Sequence, residues 1–173
     1  MGMKSSRLYI THLVMSVLPP TRCFMLKRCM LRWSGARVGE NVRIVSSARF
    51  YLTGNLIIGK GTWIGHEVLM VGGDANIVIG DNVDIAPRTS LITGSHELFS
   101  SPLRAAGKGY SLPINVGDGV WIGACSTVLG GIRLGSCSVI GANSLVNKDV
   151  PERSVYGGVP AKSLKPSCRE SLL

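Results

Sequence analysis

The chain has 173 residues, of which 22 are glycine, and it carries a net charge of +9. This length allows one domain with a continuous core and excludes two ordinary domains. Residues 1–49 account for +8 of the charge, and no basic stripe with interleaved aromatic residues follows, which argues against a nucleic-acid-binding protein.

The N-terminal arm, residues 1–35, is predicted to form two helices. The first covers residues 5–18 and ends at Pro19, because proline lacks an amide donor and restricts the residue before it. The second covers residues 21–34, with Thr21 as its N-cap and Gly35 as its stop.

Apolar and basic residues lie on different sides of the second predicted helix, which leaves two interpretations of the arm open. In one, the helices cover the open end of the body, as repeat folds require. In the other, residues 4–34 form a basic amphipathic segment on an anionic membrane surface. The two interpretations are compatible with each other.

The apolar stretch at residues 8–18 resembles the hydrophobic region of a signal peptide, but no small-residue cleavage site follows it. It is also too short to span a bilayer. The five cysteines show no CxxC or Cys/His ligand spacing, which favours a reducing compartment and no metal site. We therefore predict a cytoplasmic protein, peripheral to the inner face of the membrane if the arm binds lipid.

A six-residue repeat begins at Val38 and organises the rest of the chain. Each hexad opens on an apolar residue that glycine often follows, as in the uninterrupted run from Val116 to Pro151. A helix has a different period and a plain strand alternates strictly, whereas short strands joined by tight turns fit a period of six. The repeat predicts an all-β solenoid, a parallel β-helix whose coils pack on their neighbours.

Three hexads make one triangular coil, so the fifteen hexads predict about five coils over residues 36–155. Extra residues interrupt the repeat three times, always after a third hexad, so every insertion leaves the prism at one corner. The longest insertion is predicted to be a loop, residues 97–115, with His96 at its root. Insertions in repeat proteins often gather on the binding face.

The C-terminal segment, residues 156–173, follows the last hexad. Pro160 suits the first position of a helix. A helix over about residues 160–170 would close the other end of the β-helix.

Several motifs in the body resemble those of a known family, the hexapeptide-repeat acyltransferases. Within it they are similar to the sugar O-acetyltransferases of galactoside and maltose type and to relatives that decorate surface polysaccharides. The motifs are TGSH (93–96), VWIGA (120–124), IGANSLVNKDVP (140–151) and YGGVPAK (156–162). The resemblance covers about residues 36–166. It implies a left-handed coil, a homotrimer, and acetyl-CoA bound between neighbouring subunits.

The resemblance also assigns roles to individual residues. His96 matches the catalytic histidine, and Trp121 matches the tryptophan beside the reacting centre, where it would contact acceptor and cofactor. His66 lies where galactoside-type enzymes have an asparagine near the acceptor, which leaves the acceptor's identity open. The matches to cofactor-binding positions are Trp121, Ala124, Ala142, Lys148, Lys162 and Lys165.

These residues predict direct transfer of an acetyl group to a saccharide hydroxyl, with His96 as general base. An imidazole can remove the hydroxyl proton near neutral pH, and no GxSxG motif suggests a covalent acyl-enzyme. Backbone amides of glycine-rich turns could bind the oxyanion. The acceptor would be a cell-surface polysaccharide or its lipid-linked precursor.

Other functions stay open at this point. The chain could N-acetylate an amino sugar, although enzymes for nucleotide-linked amino sugars often carry a small α/β domain that the arm cannot supply. It could act like a serine acetyltransferase, or serve as a non-enzymatic β-helix scaffold. A zinc-dependent carbonic anhydrase is a further alternative, and its metal site needs three histidine ligands. This chain has three histidines, but one of them, His12, lies in the arm outside the repeat, which argues against such a site.

Overall fold

A computed structural model of the protein describes residues 2–164. The two arm helices are α1 (Ser5–Val17) and α2 (Phe24–Trp33). The predicted N-cap at Thr21 is wrong, because α2 begins three residues later, after Cys23 in a left-handed conformation. Gly35 ends α2 as predicted: its φ is +110°, a conformation that favours glycine, and its amide donates to the carbonyl of Arg32.

Nineteen short strands follow within the described residues. In the first half of the body they are β1 (Arg37–Val38), β2 (Arg43–Ile44), β3 (Arg49–Tyr51), β4 (Leu56–Ile58), β5 (Trp63–Ile64), β6 (Leu69–Val71), β7 (Ile77–Ile79), β8 (Asp84–Ile85), β9 (Ser90–Ile92) and β10 (Gly94–Ser101). In the second half they are β11 (Arg104–Ser111), β12 (Ile114–Val116), β13 (Trp121–Ile122), β14 (Thr127–Leu129), β15 (Arg133–Leu134), β16 (Val139–Ile140), β17 (Leu145–Val146), β18 (Val155–Gly157) and β19 (Lys162–Leu164).

The strands of the body form three mostly parallel sheets that the chain visits in turn. Sheet I has the order β1-β4-β7-β12-β15, sheet II the order β19-β18-β16-β13-β8-β5-β2, and sheet III the order β17-β14-β9-β6-β3. Except for β19, which pairs with β18, each strand of these sheets therefore pairs with strands one coil away rather than with its neighbour in sequence. This arrangement fits the predicted parallel β-helix.

The first residues of the hexads form the core. All fifteen are buried, and each pairs with its equivalent in the next coil, as in the series Phe50, Met70, Leu91, Val128 and Val146 of sheet III. The apolar residue that opens each hexad therefore points inward. The physical reason is that every coil places the same apolar position on the inner side of a strand, where only the coils above and below can cover it.

The insertions lie at a single corner, as predicted, where the chain passes from sheet III to sheet I. We call this the insertion corner; it comprises residues 52–55, 72–76 and 93–113. The predicted loop 97–115 is wrong in structure, because β10 and β11 pair as an antiparallel hairpin and residues 114–115 already belong to β12. The irregular register of this hairpin explains why no strand alternation is visible in its sequence.

The predicted C-terminal helix is wrong for the residues that the structure describes. β18 extends sheet II beyond the last hexad, and β19 turns back to pair with it in antiparallel fashion. The chain is held there by Ala161, which is buried and whose amide donates to the Leu145 carbonyl at 2.8 Å. The rest of the predicted helix, residues 165–170, lies outside the described part of the chain.

The arm packs on the first strand of each sheet. α2 contacts β1 and β2, α1 contacts β3, and Met15 and Leu31 are fully buried in the common core. Arg28 donates to the carbonyl of Val42 at 3.0 Å, and Arg32 donates to that of Val38 at 2.8 Å. Two of the arm's basic side chains therefore bind backbone carbonyls of the first coil. Neither helix among residues 2–164 is long and apolar enough to cross a bilayer.

The contact between α1 and β3 is expected to weaken in acid. His12 Nε2 accepts a hydrogen bond from the Phe50 amide at 3.1 Å, and burial, aided by the charge of Arg49, lowers the pKa of His12 from 6.5 to about 4. The unfolded chain binds this proton at higher pH than the folded protein does. The contribution to stability is therefore complete above pH 6.5 and is lost as the pH falls through about 4.

Allowing for solvent screening of a partly exposed group, this loss is about 1–2 kcal/mol. Urea unfolding at about pH 7 and about pH 4.5 measures it. A His12→Gln protein keeps an acceptor for the Phe50 amide but cannot titrate, so its stability should fall less between the two pH values. Equal losses in the two proteins would contradict this role for His12.

Candidate active site

His96 lies in β10, at the root of the hairpin that leaves the insertion corner, and its side chain is exposed. Its Nδ1 is 3.0 Å from the carbonyl oxygen of Gly107, in the opposite strand of the hairpin. A carbonyl oxygen can only accept a hydrogen bond, so this contact selects the tautomer with the proton on Nδ1. Nε2 is then left with a lone pair, as a general base requires.

A pocket of about 380 Å³ surrounds His96 at the insertion corner. Asp74 and Ser111 line it, and the Ser111 hydroxyl donates to Oδ1 of Asp74 at 2.6 Å. This hydrogen bond, assisted by one from the Asp74 backbone, lowers the pKa of the Asp74 carboxyl below its ordinary value. The pocket, which we call the corner pocket, therefore presents an imidazole together with an ionised carboxylate.

Asp74 and Ser111 were not predicted as site residues. Asp74 lies in the turn at residues 72–76, where the repeat lengthens by three residues after the second coil, and Ser111 lies at the end of the hairpin's return strand. The signal that could have found them is the rule that insertions share one corner. Glycines keep the corner narrow, since a Cβ on Gly73 would lie 3.0 Å from the Ser111 hydroxyl oxygen.

A second group of candidates lies along sheet II and the corner that follows it. His66, Ala124 and Ala142 occupy equivalent turn positions there, and the backbone amide of Asn143 donates to the Ala124 carbonyl at 2.8 Å. Neighbouring coils are about 4.8 Å apart. We call this the smooth corner, because no insertion interrupts it. The small side chains of its last two coils leave the backbone accessible to an extended molecule.

Trp121 lies on the outer face of sheet II, beside the smooth corner, with 55% of its surface exposed. In register it follows Asp84 and Trp63, so the two tryptophans lie in one column, two coils apart. Trp63 is partly covered: the ring of Phe24, in the arm, lies 6.2 Å from its ring, and the guanidinium of Arg43, in β2, lies 5.0 Å from its ring centroid. Trp121 lies beyond the arm, where a ligand could reach its face.

The remaining candidates divide between the two corners. Lys162 belongs to β19 at the end of sheet II, whereas Lys148 follows β17 at the insertion corner, and both side chains are exposed. Lys165 lies outside the described residues. Glu97, the residue after His96 in β10, is exposed, and the group in contact with His96 Nδ1 is the carbonyl of Gly107.

The structure therefore does not bring all the predicted site residues together in one chain. His96, Lys148 and the corner pocket lie at the insertion corner, whereas Trp121 and Ala124 lie beside the smooth corner, on the other side of sheet III. Among residues 2–164, no group of three or more histidine, cysteine or acidic side chains is placed to hold a metal ion.

Comparison of the sequence and of the structure with known proteins finds similarity to transferases in each case. The family described as bacterial transferase hexapeptide (six repeats) matches residues 113–148. Over 130 residues the chain is 38% identical to the galactoside O-acetyltransferase of Escherichia coli (strain K12), a match that covers 75% of this chain and 63% of that protein. The chain thus spans less than two thirds of that relative's length.

Two solved structures extend the similarity to the whole body. A hexapeptide-repeat acetyltransferase of Vibrio cholerae, complexed with acetyl coenzyme A, superimposes with a TM-score of 0.79 at 30% identity, covering 92% of this chain and 85% of the other. A polySia-specific acetyltransferase superimposes with a TM-score of 0.66 at 28% identity, covering 75% and 60%.

Proposed function

Because the chain belongs to the hexapeptide-repeat transferase family, we propose that it is an acetyl-CoA-dependent O-acetyltransferase that acts on a saccharide hydroxyl. The observation that carries this proposal is the hydrogen bond between His96 Nδ1 and the Gly107 carbonyl, which leaves Nε2 free to act as a base. The acceptor would be a cell-surface polysaccharide or its lipid-linked precursor. The polySia-specific relative supports a polymeric acceptor.

The chemistry follows from the proton positions at His96. Nε2 removes the proton of the acceptor hydroxyl as the oxygen attacks the thioester carbonyl of acetyl-CoA, and general-base assistance of this kind is worth about 10²–10⁴-fold. Backbone amides at the glycine-rich turns would bind the negative oxygen that develops. The C–S bond then breaks, and the imidazolium returns the proton to the thiolate. The Asp74 carboxylate would stabilise the imidazolium or bind an acceptor hydroxyl.

Acetyl-CoA would lie along the smooth corner, with Trp121 beside its acetyl end. Ala124 and Ala142 fit an extended pantetheine arm because their side chains leave the turn backbone uncovered. The exposed amines of Lys148 and Lys162, with Lys165, would bind its phosphates.

A homotrimer of left-handed five-coil β-helices is the assembly that we propose. In a ring of three copies, the insertion corner of one subunit would face the smooth corner of the next, joining His96 to Trp121 and Ala124. This assembly explains why one chain alone separates the two groups.

The protein would work in the cytoplasm, with the arm in peripheral contact with the membrane. Apolar side chains on the outer faces of the arm helices, among them Val17 and Met25, are 78% and 72% exposed. Co-sedimentation with anionic liposomes measures this contact, and a Val17→Glu protein should sediment less. Equal sedimentation of this variant and the parent protein would remove the membrane contact from the proposal.

The test of the function is thiol release from acetyl-CoA across a panel of free sugars, polysaccharides, lipid-linked oligosaccharides and amino sugars. We expect release with hydroxyl acceptors and an ester in the product. Release with amines alone would overturn O-acetylation in favour of N-acetylation. Absence of release with every acceptor, while acetyl-CoA still binds, would overturn the proposed activity.

A further inference from the structure

A large cavity lies between α1 and the insertion corner, outside the site described above. It has a volume of about 570 Å³ and is formed by one side of α1 together with residues 49–53 and Gly72. We call it the arm groove. Its size falls within the range of about 300–1,000 Å³ that is typical of small-molecule sites.

The walls of the arm groove are apolar. Leu8 and Phe50 form its floor and are buried, whereas Tyr9, Leu13 and Tyr51 form its rims and are more than half exposed. An exposed concave surface of this composition is unusual for a protein in water unless something covers it.

Arg49 is the one formally charged group among the lining residues that the structure describes, apart from the titratable His12. Its guanidinium already donates to the carbonyls of Ser46 and Ala48, at 2.8 and 2.9 Å. His12 is uncharged at neutral pH, since its Nε2 accepts the Phe50 amide and burial lowers its pKa to about 4. Hydroxyl groups also line the groove, on Ser5, Tyr9, Ser16, Tyr51 and Thr53, but most of its surface is apolar, which favours a hydrocarbon.

The arm groove adjoins the corner pocket. Gly72 lines both cavities. The space beside Gly72 is filled by the Thr93 side chain, with which a Cβ on Gly72 would collide. A molecule that extended from the groove past the Gly72 backbone would enter the pocket that contains His96 and Asp74.

We propose that the arm groove binds the alkyl chain of an amphiphilic acceptor whose saccharide head group occupies the corner pocket. This inference rests on the proposed function, because the head group is the acceptor of the acetyl group. The acceptor is then a glycolipid or a lipid-linked saccharide rather than a free sugar. From Ser5 to Ser16 the helical wall is about 17 Å long, which suits an extended alkyl chain.

The first test measures binding without catalysis, using methyl galactoside and decyl galactoside as probes and calorimetric titration of the full-length protein below the detergent's micelle concentration. Decyl galactoside should bind on the order of 100-fold more tightly, because burial of several methylene groups adds to the affinity. Equal affinities for the two galactosides would overturn the proposal.

Leu13→Glu is the decisive variant, since it places a charge on the rim of the groove. Ile10→Glu is its matched control, because Ile10 is similarly exposed on α1 but does not line the groove. Leu13→Glu should lower the affinity for decyl galactoside at least about 10-fold, and Ile10→Glu should leave it unchanged. The same loss in both variants, or in neither, would contradict the assignment.

Three further outcomes separate the possible explanations. If decyl galactoside binds in the groove but no saccharide supports thiol release, the groove is confirmed and the proposed function fails. If Leu13→Glu instead changes the sedimentation coefficient, the groove is a contact between copies of this chain and the alkyl-chain proposal is wrong. Thiol release that is independent of alkyl-chain length would also overturn the groove and leave the acetyltransferase activity intact.

Discussion

Replacing His96 with alanine is expected to lower turnover by about 10²–10⁴-fold, because the acceptor hydroxyl loses the base that removes its proton. The Michaelis constant for acetyl-CoA should change little, since His96 lies at the insertion corner and the proposed cofactor residues Trp121 and Ala124 lie beside the smooth corner. Steady-state thiol release measures both quantities. His96 is exposed, so the substitution should leave the free energy of unfolding nearly unchanged.

Glu97→Gln is the matched control for this experiment. Glu97 is the next residue in β10 and is also exposed, but the group in contact with His96 Nδ1 is the carbonyl of Gly107. The control protein should keep near-normal turnover. A His96→Ala protein with near-normal turnover would remove the general base from the mechanism, whatever the control showed.

Two inactive variants are expected to restore activity when they assemble together. His96→Ala damages the insertion corner, and Ala124→Trp fills the smooth corner where the pantetheine arm would lie. In a ring with random mixing of equal amounts, about a quarter of the inter-subunit sites combine an intact insertion corner with an intact smooth corner. Activity should therefore rise from near zero to about a quarter of the parent value.

The mixed protein is made by joint refolding or by co-expression, and thiol release is measured against each variant alone. His96→Ala mixed with His96→Asn is the control, because both variants are damaged at the same corner and no mixed site is intact. If the first mixture remains as inactive as its parents, the two corners do not complete one another and the inter-subunit site is wrong.

The prediction of the fold succeeded where a local pattern repeats and failed where it does not. Each hexad places one apolar residue inward, and this is visible in the sequence because the same six positions recur in every coil. The hairpin of β10 and β11 has an irregular register, so its sequence gave no strand signal and a loop was predicted. At the C-terminus, Pro160 suited a helix, but the buried Ala161 and its hydrogen bond to Leu145 turn the chain into β19 instead.

The residues of the candidate site were likewise predicted only where a local sequence motif marks them. His96 and Trp121 could be found because they belong to short motifs that resemble those of a family. Asp74 could not, because a carboxylate in a short glycine-rich insertion looks like an ordinary turn residue until the hairpin places Ser111 at 2.6 Å from it. The role of the basic arm was also left open by the sequence, because the carbonyl partners of Arg28 and Arg32 in the first coil cannot be predicted from their positions in the arm.

By itself the sequence determined the repeating unit, its inward residues and the corner at which insertions gather, because all three are properties of spacing along the chain. Only the tertiary structure decided which distant residues meet: the orientation of His96 by Gly107, the Asp74–Ser111 pair, and the apolar groove that adjoins the corner pocket at Gly72. These contacts depend on how coils stack and where a helix packs. They therefore cannot be predicted from the spacing of residues along the chain.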